Sequence, residues 1–493
     1  MLFSSVTFLY FFLPVVLAAY FLMPARSGMQ ARNYLLIAAS IVFYIWGEPV
    51  YVLLLIGQTV AGWGCGLLIE RFRLLDDKRN MKLALFGGVA TGIGCLGLFK
   101  YSDFFVHNAN TLFGTSAALL GLALPIGISF YTFQILSYEI DLYRGKVQVQ
   151  KNFPAFATYV MLFPQLVAGP IVRYIQVEEA LTSRKVSFED FHYGVRRFVF
   201  GLAKKVLLAN TLGELVAIYK TAEAGGESSA LFSWLYVTAY ALHIYFDFSG
   251  YSDMAVGLGR IFGFRFPENF NYPYIAASIT DFWRRWHMTM SFWFRDYVYI
   301  PLGGNRVSSV RHLLNILFVW LLTGFWHGAG WSFIIWGLYY ALLLLIEKRV
   351  TKWIGSIPGS GVIEDTGPLR PVMRCLYGLR HVYVAAALLV GWVFFDAETL
   401  SQVTGRLSLL FGGAEQTAGQ AALYYLRSYI VPLIIAAVGA TPLPAYIVAR
   451  VATAIRGAKI LAVLEPAYIF ALLIVVTAYL VDGSFNPFIY FRF

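Results

Sequence analysis

The run "VYVLLLIGQTVAGWGCGLLI" (Val50–Ile69) carries no charged side chain from end to end. About 20 apolar residues are needed to span the hydrocarbon core of a bilayer. Lipid offers the backbone no hydrogen-bond partners, so such a run folds as a helix or joins a closed barrel. Barrel strands are short and alternate apolar with polar residues. This run is continuous, which leaves the helix.

The same pattern recurs along the chain. Candidate spans are Phe3–Met23, Tyr34–Gly47, Val50–Ile69, Met81–Phe99, Leu122–Ile140 and Phe156–Ile171 in the first part. Leu231–Phe248, Leu313–Trp326, Trp331–Ile346, Val382–Phe395, Tyr429–Val448 and Ile460–Val481 follow. Several are short for a full crossing, so the expectation is about ten or eleven crossings, with the remainder re-entrant. Composition agrees. Hydrophobic residues make up 59% of the 493, charged residues 13%, and the mean hydropathy is +0.66. A soluble domain is about a quarter charged. The fold class is therefore an all-α polytopic membrane protein, read as one integral-membrane domain over residues 1–493.

The net charge of +11 fits Lys- and Arg-rich cytoplasmic loops and does not require a nucleic-acid partner; the expected surroundings are the lipid bilayer. Arg26 and Arg32 follow the first span, and Arg71, Arg73, Lys78, Arg79 and Lys82 follow the third. Arg450, Arg456 and Lys459 precede the last. With these loops inside, both termini are expected outside the cytoplasm. Phe3–Met23 lacks a basic leader and a small-residue cleavage site, so it reads as a retained helix.

Two regions depart from simple spans. In Tyr174–Lys220, Arg196, Arg197, Lys204 and Lys205 lie beside a rich apolar face. This reads as an amphipathic interfacial helix, or as a docking surface. Phe246–Arg306 is too polar for lipid and too aromatic for a plain loop. Irregular backbone at membrane depth is tolerated only inside protein or beside a water-filled cavity. Broken or re-entrant helices in the interior are expected here.

The candidate chemistry concentrates in two stretches. In "TDFWRRWHMTMSFWFRD", Asp281 and Arg285 are spaced to pair on one helical face. Arg284 and His287 are expected on a neighbouring face, with Arg295 and Asp296 two turns on. Ionisable groups within a membrane are costly and mark function; a charge-paired interfacial girdle anchored by Trp283, Trp286 and Trp293 is the alternative. In "LTGFWHGAGW", His327 stands in a stretch with no Asp, Glu, Lys or Arg between Arg311 and Glu347. It is either a packed core histidine or a general base held neutral by burial. Gly324, Gly328 and Gly330 would let a long substrate approach the backbone. No HExxH or carboxylate cluster supports a metal site. Cys65, Cys95 and Cys375 are too dispersed for a metal or disulfide framework. No GxSxG or P-loop occurs. From these residues alone an enzyme, a proton-coupled transporter or flippase with His327 as relay, and a scaffold all stay open.

The blocks "LPIGISFYTFQILSYEIDLYRG" (Leu124–Gly145), "FPQLVAGPIVR" (Phe163–Arg173), "YFDFSGYSDMAVGLGRIFGFRFPENFNYPY", "SITDFWRRWHMTMSFWFRDYVYIPLGGNR" and "GFWHGAGWSFIIWG" resemble, in order, the membrane-bound O-acyltransferase family. The nearest branch contains the alginate O-acetyltransferase membrane subunit. The resemblance implies a ring of helices around a central tunnel in the bacterial inner membrane. It implies an acyl group taken from a cytoplasmic thioester, with acetyl-CoA as donor and no metal. An extracytoplasmic SGNH-type acetyltransferase partner would then place the acetyl on an exopolysaccharide such as alginate. His327 corresponds to the family's essential histidine and His287 to its second polar residue. The expected mechanism has His327 as base, His287 or nearby donors on the oxyanion, and Arg284, Arg285 and Arg306 on donor phosphates. Trp286, Asp281, Arg295, Asp296, Asn305 and Trp326 complete the expected substrate site. The final segment "SFNPFIYFRF" is similar to an aromatic C-terminal motif of this branch, which makes Tyr490 a candidate acyl relay; an interfacial aromatic anchor is the alternative.

Overall fold

The computed structural model describes residues 1–355, 370–413, 418–453 and 455–482. The described residues contain helices, turns and irregular segments, and no strand. Six described helices are long and apolar enough to cross a membrane: Val52–Leu74, Lys78–Phe113, Ser309–His327, Gly378–Asp396, Gln420–Gly439 and Val463–Asp482. Phe8–Leu22 and Leu443–Thr453 are shorter apolar helices. The chain is a polytopic α-helical membrane protein, as its hydropathy implies.

Three expected spans are redrawn. Leu122–Ile140 is irregular at its start, and its helix runs Ile128–Tyr143. Tyr429–Val448 is not one helix. Gln420–Gly439 ends, the chain turns at Thr441–Pro442, and Leu443–Thr453 starts a new helix. The residue before a proline is disfavoured in helical geometry. Phe156–Ile171 is likewise broken, into Phe153–Met161 and Phe163–Leu166, with Leu162 extended between them. Pro164 has no N–H to continue the ladder.

The chain divides into two compact units. The first comprises residues 1–206, 248–268 and the described part of 468–493. Here the amphipathic helix Phe188–Ala203 does not simply float on lipid. Its Gly194 and Gly201 fit against Gly257 and Gly250, where added Cβ atoms would meet backbone at 2.6–2.7 Å. Arg197 and Lys204 both bind Asp253, at 2.7 and 2.6 Å, and Arg197 also reaches Glu268. Two of the four charges expected beside the apolar face, Arg197 and Lys204, are thus tied to Asp253 of a neighbouring helix.

The second unit comprises residues 207–247 and 269–467, and it holds the candidate site. Its frame is the antiparallel pair Ser309–His327 and Trp331–Gly355. Ser308 accepts from Arg311 N and starts the first helix. A Cβ on Gly324 would lie 2.3 Å from Phe333 O, and one on Gly337 would lie 2.3 Å from Trp320 O. These glycines let the two backbones touch. Gly328 is extended at the helix end, and its missing side chain is replaced by the Phe333 ring. Gly324 and Gly328 therefore serve helix packing rather than the approach of a substrate.

Candidate active site

His327 is the last residue of its helix and is 3% exposed. Its imidazole sits in an aromatic box: ring centroids lie 4.8 Å from Trp326, 5.0 Å from Trp336 and 5.1 Å from Phe395. Trp326 is itself buried. The Gly324 crossing fixes the helix against Trp331–Gly355, and this carries Trp336 onto the histidine.

His287 lies where a helix breaks. The helix Ile279–Trp283 ends, and Met288–Phe294 begins after His287, which has φ +44°. A non-glycine residue in this region costs on the order of 1–3 kcal/mol and persists only when its surroundings enforce it. They do so through residues 269–271. Asn271 N donates to Arg285 O at 2.9 Å, and Met288 N donates to Asn269 O at 3.0 Å. Asn269 Oδ1 accepts from Thr289 N at 3.3 Å and from Thr289 Oγ1 at 3.0 Å, and it lies 3.1 Å from His287 Nδ1. A backbone N–H can only donate, so the asparagine atom there is the oxygen. His287 Nδ1 must then carry the proton, and Nε2 holds the lone pair. The ring is fully buried, 5.9 Å from that of Trp326. The two histidines thus flank one indole.

The break separates residues expected to share a face. Arg284 is exposed whereas His287 is buried. Asp281 and Arg285 do pair, at 2.9 Å, and Arg285 also donates to Asn271 O. Arg295 and Asp296 form a two-bond pair at 2.7 and 3.1 Å. Trp286 is buried against Phe270, Phe282 and Trp392.

A cavity of about 1150 Å³ opens in this unit. Arg284, Arg295 and Asn305 of the expected set line it; Asp281, Arg285, Trp286, His287, Asp296, Arg306, Trp326 and His327 do not. Tyr490 lies outside the described residues. His312, Lys348, Lys352 and Arg380 also line the cavity, and sequence reasoning passed over all four. The cluster "IEKRVTK" at a helix end was the available signal. Lys348 Nζ donates to His312 Nε2 at 3.0 Å. Glu347 is spent on capping, accepting from Ile279 N at 2.6 Å and Thr280 N at 3.1 Å. Trp283, Trp320 and Thr323 line the cavity as well. Trp283 packs on Trp336 at 5.6 Å, and Trp336 packs on His327. One aromatic layer thus lies between cavity and histidine. His312 and His327 are on one helix, roughly 22 Å apart at about 1.5 Å per residue.

A basic cavity, an aromatic floor and a buried imidazole beyond it suit a long anionic donor whose reactive end reaches inward. The model of MBOAT, the membrane-bound O-acyltransferase family, matches residues 117–377. A probable alginate O-acetylase of Pseudomonas aeruginosa is 42% identical, over 83% of this chain and 74% of the relative. A peptidoglycan O-acetyltransferase of Helicobacter pylori is 36% identical, over 84% and 80% respectively. A teichoic acid D-alanyltransferase of Bacillus subtilis is 31% identical, over 58% and 73%. The chain belongs to the membrane-bound O-acyltransferase family, as a multi-pass membrane enzyme.

Proposed function

We propose that this O-acyltransferase takes acetyl groups from acetyl-CoA in the cytoplasm and delivers them across the bacterial inner membrane. An extracytoplasmic SGNH-type partner then esterifies an exopolysaccharide such as alginate. The observation that carries this reading is the cavity: its wall gathers Arg284, Arg295, Lys348, Lys352 and Arg380, and its floor lies one aromatic layer from His327. Guanidinium groups match phosphate geometry, and a basic mouth concentrates an anionic donor. The separation along the Ser309–His327 helix calls for a donor with a long arm. Relatives named for alginate and peptidoglycan O-acetylation support acetyl as the group.

In the reaction, His327 takes the proton of an acceptor hydroxyl as its oxygen attacks the thioester carbonyl. The C–S bond then breaks, and the departing thiolate recovers the proton. Tyr490 is the candidate acceptor within this chain: a phenyl ester is a better leaving group than an alkyl ester, which suits a relay. The loop charges favour a cytoplasmic cavity mouth and extracytoplasmic termini.

Reconstituted protein with radiolabelled acetyl-CoA tests the reading. Wild type cleaves the thioester or becomes acetylated, and His327→Ala loses at least about 100-fold. Equal rates in the two proteins would rule His327 out as the base.

A further inference from the structure

Two observations assign the group that stabilises the oxyanion. The first concerns His287. Its Nδ1 proton is held by Asn269 Oδ1, whose identity as oxygen is fixed by Thr289 N–H. A neutral imidazole in that tautomer has no proton at Nε2. With Nδ1 engaged by Asn269, the ring has no N–H to offer a carbonyl oxygen.

The second concerns Trp336. Its side chain is 1% exposed, and its Nε1–H is buried with no hydrogen-bond partner. Buried N–H donors are nearly always paired in folded proteins, and an orphan calls for an explanation. Here the ring lies between Trp283 of the cavity wall, at 5.6 Å, and His327, at 5.0 Å. Trp283 and Tyr340 also carry unpaired donors; of the indoles packed on His327, Trp326 at 4.8 Å also meets His287, whereas Trp336 at 5.0 Å meets Trp283 of the cavity wall. An acyl group arriving beside His327 brings one strong acceptor, its carbonyl oxygen.

We infer that Trp336 Nε1–H donates the hydrogen bond that stabilises the oxyanion, and that Asn269 is a positioning residue that withholds His287 from that role. This rests on the thioester reading above. As the acceptor O–H bond breaks and its proton moves to His327, the new C–O bond forms. The carbonyl π electrons move onto oxygen, and Trp336 binds that oxygen. The electrons return, the C–S bond breaks, and the thiolate leaves with the proton from His327. The donor is preorganised, because the ring is fixed by Trp283, Tyr340 and Phe395.

The test uses the full-length enzyme in proteoliposomes with acetyl-CoA. Trp336→Phe removes the N–H and keeps an aromatic ring. Replacing Trp336 by benzothienylalanine exchanges only the N–H for sulfur, which guards against a packing effect. Both lower kcat about 100-fold or more and leave KM within about threefold. A direct readout uses the ketone analogue of acetyl-CoA, with CH2 in place of sulfur and a 13C-labelled carbonyl. Its infrared carbonyl band shifts to lower wavenumber on binding wild type. The shift disappears in the benzothienyl protein and survives in His287→Gln. The inference is overturned if benzothienylalanine leaves kcat within about threefold, or if the band shift is lost only in the His287 variant. Absence of any wild-type turnover of acetyl-CoA overturns the thioester reading and this inference together.

Discussion

At the scale of single residues, both histidines owe their settings to neighbours distant in sequence. Isolated in the chain, His327 reads as a packed core residue or as a base; its aromatic box is formed with Trp336 and Phe395. His287 shows the same lesson more sharply. A helical reading of "DFWRRWH" places it beside Arg284, but the backbone breaks there and turns the two apart. Nothing local announces the break. It is enforced by Asn269, 18 residues upstream. The left-handed geometry of His287 has a consequence. Asparagine tolerates this region better than most residues, so His287→Asn is expected to keep its thermal midpoint within a few degrees of wild type. A variant that unfolds would show that His287 is held there for packing.

At the scale of elements, long apolar helices were legible because burial in lipid imposes a local rule on every residue of a span. Val50–Ile69 matches the observed helix Val52–Leu74 from its third residue on, and Ile460–Val481 falls within Ile455–Asp482. Ends set by proline, as at Pro442, were less visible because an apolar run continues across them. The glycines of "LTGFWHGAGW" were legible as special but not as to purpose, since their contacts come from Phe333 and Gly337. The close crossing gives a stability prediction. Gly337→Ala places a Cβ against the Trp320 carbonyl, which cannot retreat as a side chain can. The expected loss is about 1–3 kcal/mol, seen as a lower thermal midpoint in detergent. Gly378→Ala, where nothing lies within 4 Å, leaves the midpoint unchanged. Equal midpoints for the two variants would mean that the crossing is not tight.

At the scale of the whole molecule, the proposed function requires that an anionic donor be drawn towards the buried His327. The basic residues that line the cavity come from helix ends far apart in sequence; Arg284 and Arg295 belong to the expected substrate site, whereas Lys348, Lys352 and Arg380 do not. Exposed charges act cumulatively and are screened by salt. Lys348→Glu combined with Arg380→Glu is expected to raise KM for acetyl-CoA about tenfold with kcat nearly unchanged. The wild-type KM should also rise with ionic strength, and more steeply than that of the double variant. A KM indifferent to both would place the donor elsewhere. The central claim is that acetyl crosses the bilayer by way of His327. It is tested most directly in proteoliposomes of one orientation, with labelled acetyl-CoA supplied only on the side of the Arg284–Arg380 cavity. The account predicts labelled acetyl on the opposite side with wild type, and none above background with His327→Ala. Label that stays on the donor side, or that crosses equally well without the histidine, would contradict it.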